Sequence, residues 1–245
     1  KLAESRGEIK LAQKLRYKVF FSERIKNPIL NIGNFRRDSD KFDNYADHII
    51  VTHRKSKFSK TKVIGTYRLL KQSVAEKKSG FYSCDEFNLE NLLNSRIYNN
   101  MLELSRSCIS QKFRNKNVLQ LMWKEIHHYI NKNNIDALFG TASFLSTNVS
   151  KIEDQLIYLN HHHKMPDNIT VSALPKYRVN IDYQKKINLN IRLFAKLPTL
   201  IKAYLKFNAS IGTGAVIDNK FKTTDVFIFL PIEKINKEYV NKILD

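Results

Sequence analysis

The chain has 245 residues, 42% of them apolar and 11% aromatic, with 7 glycines and 5 prolines. That length can bury a sizeable core, and the composition excludes collagen-like, low-complexity and disordered classes. Lys and Arg outnumber Asp and Glu by 42 to 23, a formal charge of +19 that attracts anionic partners such as nucleic acid, anionic lipid headgroups or an acidic carrier protein. The charge is spread along the chain rather than gathered in one block, so an ordinary solvated basic surface accounts for it equally well. With Cys84 and Cys108 as the two cysteines, a disulfide framework or a CxxC metal site is excluded, and a reducing cytoplasm is the expected compartment. There is no apolar run long enough to span a bilayer, and no signal peptide is recognised after Lys1.

In chain order, Leu2–Phe20 predicts a helix with Leu2, Leu11, Leu15, Val19 and Phe20 on one face. A polar loop, Asn27–Asn44, follows. Asp47–His53 and Val63–Leu70 read as two strands of a hairpin joined by the basic loop Arg54–Lys62. Phe81–Leu93 is a short amphipathic segment, and Met101–Ile109 is a strand. Arg114–Asn131 has Val118, Leu121, Met122, Ile126, Tyr129 and Ile130 at helical spacing, and Asp136–Ser143 is the next strand. Strand, helix and strand in that order predict a parallel pair with a crossover. Lys151–His162 reads as a helix, Thr224–Leu230 as a strand and Ile235–Leu244 as a last helix. The expected fold is α/β with a mixed sheet flanked by helices.

Charged residues inside apolar strands mark where chemistry or a structural ion pair must sit, because burying a lone charge is costly. Arg68 lies inside the second hairpin strand, and Glu103 and Arg106 flank Leu104-Ser105 in the strand Met101–Ile109. Strand alternation puts Glu103 with Ser105 on one face and Leu104 with Arg106 on the other. Arg16 and Phe20 are a helical turn apart, and Asp40 and Asp43 bracket Phe42. These residue types fit a buried ion-pair network and a catalytic site alike.

The ordered set Arg16-x-x-x-Phe20, Asp40-x-x-Asp43, Arg68 and Glu103-x-x-Arg106 resembles the charged signature of acyl-homoserine-lactone synthases. The flanking text is more similar still to the ornithine-lipid N-acyltransferases. It comprises Leu15-Arg16-Tyr17-Lys18-Val19-Phe20, Asp40-Lys41-Phe42-Asp43, Gly65-Thr66-Tyr67-Arg68-Leu69, Glu103-Leu104-Ser105-Arg106-Ser107-Cys108, Leu197–Leu205, Asp218-x-x-Phe221 and Asp225-Val226.

This resemblance covers nearly the whole chain. It implies a single GNAT-like domain over residues 1–245, with 174–245 as a family-specific C-terminal extension. The implied activity is transfer of a (3-hydroxy)fatty acyl group from an acyl carrier protein thioester to the α-amine of ornithine or a similar amino acid, the first step of aminolipid synthesis. No tightly bound cofactor and no metal is implied. The acyl-phosphopantetheine thioester, on acyl carrier protein or as acyl-CoA, is a co-substrate. Implied catalytic residues are Glu103, Arg106 and Arg68, and implied substrate-binding residues are Arg16, Phe20, Asp40, Asp43 and Ser105. Arg114, Lys116 and Asn117 stand where the phosphopantetheine-binding turn normally carries glycine; Asn117 is the residue there that tolerates left-handed backbone, and an ordinary N-capped helix start is the other reading of the segment. Ser105 stands where the family usually has Gly after the Glu-Leu pair.

In this reading Glu103 accepts the amine's proton or binds its ammonium, and backbone N–H groups stabilise the oxyanion. Arg68 and Arg106 pair with Asp40, Asp43 or Glu103, or grip a substrate carboxylate. The basic loops Arg54–Lys62 and Lys112–Lys116 are the expected docking surface for an acidic carrier.

Other motifs carry less. The histidines His127-His128 and His161-His162-His163 lack carboxylate or Cys partners at ligand spacing. No nucleic-acid-binding motif occurs, and no nucleophile elbow. The segment Leu193–Ile211 reads as a helix, apolar on one face and basic at its rim, with Pro198 well placed for a helix start, either a core helix or an interfacial membrane helix. An anionic membrane surface is therefore an expected partner, with the protein peripheral on the inner face of the cytoplasmic membrane. Two other functions remain open at this point: an acyl-homoserine-lactone synthase, and a non-catalytic basic module for nucleic acid or anionic membrane.

Overall fold

The computed structural model describes residues 1–23, 36–114, 117–187 and 191–244. In chain order the elements are α1 (Arg6–Tyr17), β1 (Asp47–His53), β2 (Lys62–Lys71), α2 (Gln72–Ala75), β3 (Phe87–Asn88), α3 (Glu90–Asn94) and β4 (Met101–Ile109). They continue as α4 (Val118–Asn133), β5 (Ala137–Phe144), α5 (Glu153–His162), β6 (Ser172–Ala173), α6 (Ile191–Lys196), α7 (Thr199–Lys206), β7 (Ser210–Asp218), β8 (Thr223–Pro231) and α8 (Lys237–Leu244). The fold is the expected mixed α/β arrangement, an open sheet with helices. The chain divides into two compact units, residues 1–79, 104–134 and 243–245 in the first and 80–103 and 135–242 in the second. The division falls within β4.

In the first unit β1 and β2 form the expected antiparallel hairpin, from Asp47↔Leu69 to His53↔Lys62. The predicted helix starts later than Leu2 because Leu2 pairs with Ile49 of β1 and Ala3 N–H donates to His48 O. Ser5 then caps α1, its Oγ accepting from Glu8 N. A π-helical turn, Lys18–Ser22, ends it. Leu15, Val19 and Phe20 enter the core while Leu11 stays in solvent. Helix α4 buries Val118, Met122, Trp123, Ile126, Tyr129 and Ile130; Leu121, expected on that face, is half exposed. Asn134, at φ +50°, closes α4 as a left-handed cap. Gly65 in β2 permits a close approach, since a Cβ there would lie 2.6 Å from Val118 Cγ1 and 3.2 Å from Met122 Sδ.

In the second unit the strands run in the order β4-β5-β8-β7-β6-β3. Strands β4 and β5 are parallel, with Met101↔Ala137 and Glu103↔Phe139 in register, which bears out the expected strand–helix–strand pair. Strand β5 pairs antiparallel with β8 along its whole length. The rings of Phe81 and Phe227 both pack on Phe139, centroids 4.8 and 5.7 Å away.

Four elements escaped the sequence pattern, the single-turn helix α2 and three strands. Strands β3 and β6 have two residues each. Strand β7 is masked by Gly212 and Gly214: a Cβ on Gly212 would meet Val171 O at 2.8 Å, and Gly214 has φ +84° beside a register shift between Ile211 and Ala215. A bulge and a close backbone approach need glycine and erase the alternation that announces a strand. The single helix expected over Leu193–Ile211 is two helices, α6 and α7, broken at Leu197-Pro198, with β7 starting at Ser210. Leu193, Leu197, Ile201, Tyr204 and Leu205 are buried, so this face belongs to the core. No helix among the described residues is long and apolar enough to cross a membrane.

The Gly65 contact yields a stability test. Gly65→Ala should cost about 1–3 kcal/mol through overpacking against Val118, read as a lower urea midpoint. Val118→Ala in the same chain should recover part of that loss. Additive losses in the double variant would show that the two positions do not press on each other.

Candidate active site

In the first unit, three arginines from three elements converge on one short acidic segment. Arg16, from α1, is fully buried. Its Nε donates to Asp38 Oδ2 at 2.9 Å, its NH1 and NH2 to the two Asp43 oxygens at 2.6 and 2.9 Å, and NH2 also to Asp38 O at 2.6 Å. Arg68, from β2, donates to Asp40 Oδ1 at 2.5 Å and to Ser105 Oγ at 3.0 Å, with its guanidinium over the Phe42 ring. Arg106, from β4, reaches Asp40 Oδ2 at 3.0 Å and Asp38 Oδ2 at 3.2 Å. The acids are held in turn by a capping box around the 3-10 turn Lys41–Asn44: Asp40 accepts from Phe42 N, and Asp43 accepts from Asp40 N. Three guanidinium groups face three carboxylates, which is how this much charge is buried without an uncompensated ion.

Backbone geometry explains how neighbours on β4 reach the same cluster. Arg106 has φ +53°, left-handed backbone that a non-glycine residue rarely adopts. It breaks the strand alternation, so Ser105, through Arg68, and Arg106, through Asp38 and Asp40, both join the network, where the regular pattern separates them. The ion pairs to Asp38 and Asp40 hold this conformation in place.

Electrostatics follow from burial and charge together. Burial alone would raise the Asp43 carboxyl, but the hydrogen bond and charge of Arg16, with the charge of Arg68, lower it to about 2. His48, on β1, lies buried with Nε2 3.5 Å from Asp43 Oδ1. Burial lowers its pKa to about 4; the attraction of Asp43 opposes this, and the charges of Arg16 and Arg68 add to it. Burial also disfavours the charged form of Arg16, yet its bond to Asp43 and the charges of Asp38 and Asp43 raise it overall. Arg68 is lowered by burial and then by the Arg106 charge.

In the second unit, Glu103 of β4 is buried and anchored by the turn Tyr82–Asp85. Oε2 accepts from Tyr82 N at 2.9 Å, and Oε1 accepts from Ser83 N and Ser83 Oγ, both at 2.7 Å. A carboxylate fixed by two backbone amides and a hydroxyl is a preorganised acceptor, able to hold an ammonium or take a proton.

Residues 15–124 match the family model of an acetyltransferase (GNAT) domain. Over 244 residues the chain is 39% identical to an L-ornithine N(alpha)-acyltransferase of Brucella abortus (strain 2308), covering 98% of this chain and 86% of the relative. A protein of the same name from Rhizobium meliloti (strain 1021) is 38% identical over 243 residues, covering 98% and 82%. The chain belongs to the L-ornithine N(alpha)-acyltransferase family. This acyltransferase shares its fold with a CoA-dependent acyl-homoserine lactone synthase, BjaI, at TM-score 0.50 and 10% identity over 97% of this chain and 81% of that one.

Of the residues singled out in the acyltransferase's sequence, the structure joins Arg16, Asp40, Asp43, Arg68, Ser105 and Arg106 in one network. Phe20 is buried in the same unit, and Glu103 lies two residues before Ser105 on β4. Arg114 donates to Glu23 Oε2 at 2.6 Å and to Ile109 O. Lys116 falls outside the described residues. Asn117 has φ −72°, so the left-handed turn expected there is not formed; the helix starts from it without one.

Asp38, His48 and Ser83 went unrecognised in the sequence. A signal for Asp38 exists, since three arginines in the signature call for a third acid. Ser83 acts through its amide and its hydroxyl alike, and the amide is a partner that no side-chain pattern reports. Asp218 of the Asp218-x-x-Phe221 motif caps the β7–β8 turn, accepting from Lys220 N and Phe221 N. With Glu86 and Asp225 it forms an acidic group whose oxygens lie within 4.8 Å of one another.

The buried histidine sets a pH signature. His48 titrates near 6.5 when unfolded and about 4 when folded, so its contribution is full above 6.5 and is lost as pH falls toward 4, at about 1.4 kcal/mol per pH unit. Asp43, lowered to about 2, adds stability that persists above its unfolded value and is lost only as pH drops toward 2. Urea midpoints should therefore fall between pH 6.5 and 4, and His48→Gln should flatten that window while leaving the loss at lower pH. An unchanged slope in His48→Gln would assign the acid sensitivity to other groups.

Proposed function

We propose that this acyltransferase moves a 3-hydroxyacyl group from an acyl carrier protein thioester to the α-amine of ornithine, forming the first amide of an aminolipid. Membership of the ornithine acyltransferase family supports the acceptor. The observation that carries the chemistry is the anchored Glu103 carboxylate, held by Tyr82 and Ser83. Glu103 takes a proton from the substrate ammonium; the freed amine attacks the thioester carbonyl. The C–N bond forms and the C–S bond breaks; of the two protons the nitrogen loses in all, one goes to the departing thiolate and the other to solvent.

In this reading Arg16, Arg68 and Arg106 are positioning residues. Their guanidinium groups are engaged by Asp38, Asp40, Asp43 and Ser105, and they fix the backbone of β4 immediately after Glu103. Ser105 and Phe20 complete that frame. Asp40, whose side chain is 18% exposed against 2–3% for Asp38 and Asp43, is the one of the three acids with surface left for a substrate cation. The segment Lys112–Asn117 with Arg114 and Lys116 serves the phosphopantetheine donor through positive charge. The whole chain, 1–245, works as one acyltransferase with 174–245 as its extension, in the cytoplasm and peripheral to the membrane.

Two experiments test this. With a panel of amino acids and a 3-hydroxyacyl carrier thioester, product masses should identify the ornithine Nα-amide, and Glu103→Gln should lower its rate about 10²–10⁴-fold with an unchanged thermal midpoint. Near-normal turnover in that variant would remove Glu103 from the chemistry. The apparent affinity for the acyl carrier protein should weaken as salt rises, and Arg114→Glu should weaken it further. Equal use of free acyl-CoA at every salt concentration would exclude the carrier protein as the preferred donor.

A further inference from the structure

The loop Arg54–Lys62 joining β1 to β2 holds five cations and no acid in nine residues. At its tip Phe58 is 100% exposed. The loop is internally braced: Ser59 Oγ accepts from Ser56 N at 2.9 Å and donates to Ser56 O at 3.0 Å, Ser59 N donates to Ser56 O, and Arg54 clamps Thr61 Oγ1 through Nε and NH2. The bracing keeps Lys57-Phe58 at the tip instead of folding the ring back onto the hairpin. An aromatic ring left wholly in water beside Lys55, Lys57 and Lys60 is an arrangement that folding of this chain does not use.

We propose that this hairpin tip is the contact of the protein with an anionic lipid surface. Phe58 enters the interfacial layer, where aromatic side chains are favoured, and Lys55, Lys57 and Lys60 lie at the headgroup phosphates. The convex shape selects this partner over a protein. A protein would need a matching cavity for Phe58, whereas a bilayer interface accepts an aromatic group without shape complementarity. The inference rests on the hairpin alone, not on the acyl-transfer reading, and it moves the membrane contact away from α7, whose apolar face is buried.

The test uses the full chain with vesicles of phosphatidylglycerol and phosphatidylcholine, or of phosphatidylcholine alone. Wild-type protein should co-sediment with the anionic vesicles at low salt and be released at high salt. Each lysine near the surface is worth about five-fold in partition, so Lys57→Gln with Lys60→Gln should weaken binding about 25-fold, and Phe58→Ser should weaken it too. The chain's one tryptophan, Trp123, is buried, so Phe58→Trp adds a reporter at the tip. Its emission should shift to the blue and become protected from iodide on anionic vesicles only. Turnover of an acyl-pantetheine thioester, which brings no carrier protein to dock, should stay at the wild-type level in these variants, which separates failure here from failure of the acyl-transfer assignment. Absence of co-sedimentation, or co-sedimentation with unmoved Phe58→Trp emission, would overturn the proposal. So would intact vesicle binding in the lysine variants with a raised KM for the acyl carrier thioester, which would make the loop a protein-docking site.

Discussion

The structure of the first unit depends on charge neutralisation around Arg16. A guanidinium fully removed from water is tolerable only when its donors are met by carboxylates held in the right geometry. Asp38 and Asp43 meet that demand, and Asp40 extends the network to Arg68 and Arg106. One small cluster thereby ties together a helix, a loop and two strands. It also settles the backbone of β4 just after Glu103, so the ion-pair network and the proposed catalytic carboxylate share one strand.

This explains why two readings of the sequence were both sound. Charges inside β2 and β4 suggested either buried ion pairs or catalytic groups, and the structure divides them by partner. The arginines meet acids, while Glu103 meets amides and a hydroxyl. Side chains that touch other side chains form patterns a sequence can display. Side chains held by backbone amides do not, which is why Tyr82 and Ser83 could not be read beside Glu103.

The same division applies to the fold. Elements with a regular apolar period, such as β1, β2, β4, β5, α4 and β8, were legible because burial imposes that period on the residues. Strand β7 was hidden by Gly212 and Gly214, and the break between α6 and α7 was signalled by Pro198 alone, because Leu193, Leu197 and Ile201 keep helical spacing across it. A continuous apolar face records what is buried, not whether the backbone beneath it is continuous. The acidic residues of the Arg16 network were visible as a run, but Asp38 gained meaning only when the arginines were counted against it.

Arg106 carries a consequence of another kind. Its backbone favours glycine, while its side chain must be a planar fork able to span Asp38 and Asp40. Glycine would relax the strand and strip Asp38 and Asp40 of one of the two arginines that each meets; lysine would keep the charge and lose the fork. The two demands on this position conflict, so no single substitution satisfies both. Routes away from arginine therefore pass through simultaneous change at Asp38 or Asp40, and residues 38, 40 and 106 should behave as one strongly non-additive unit in any set of variants.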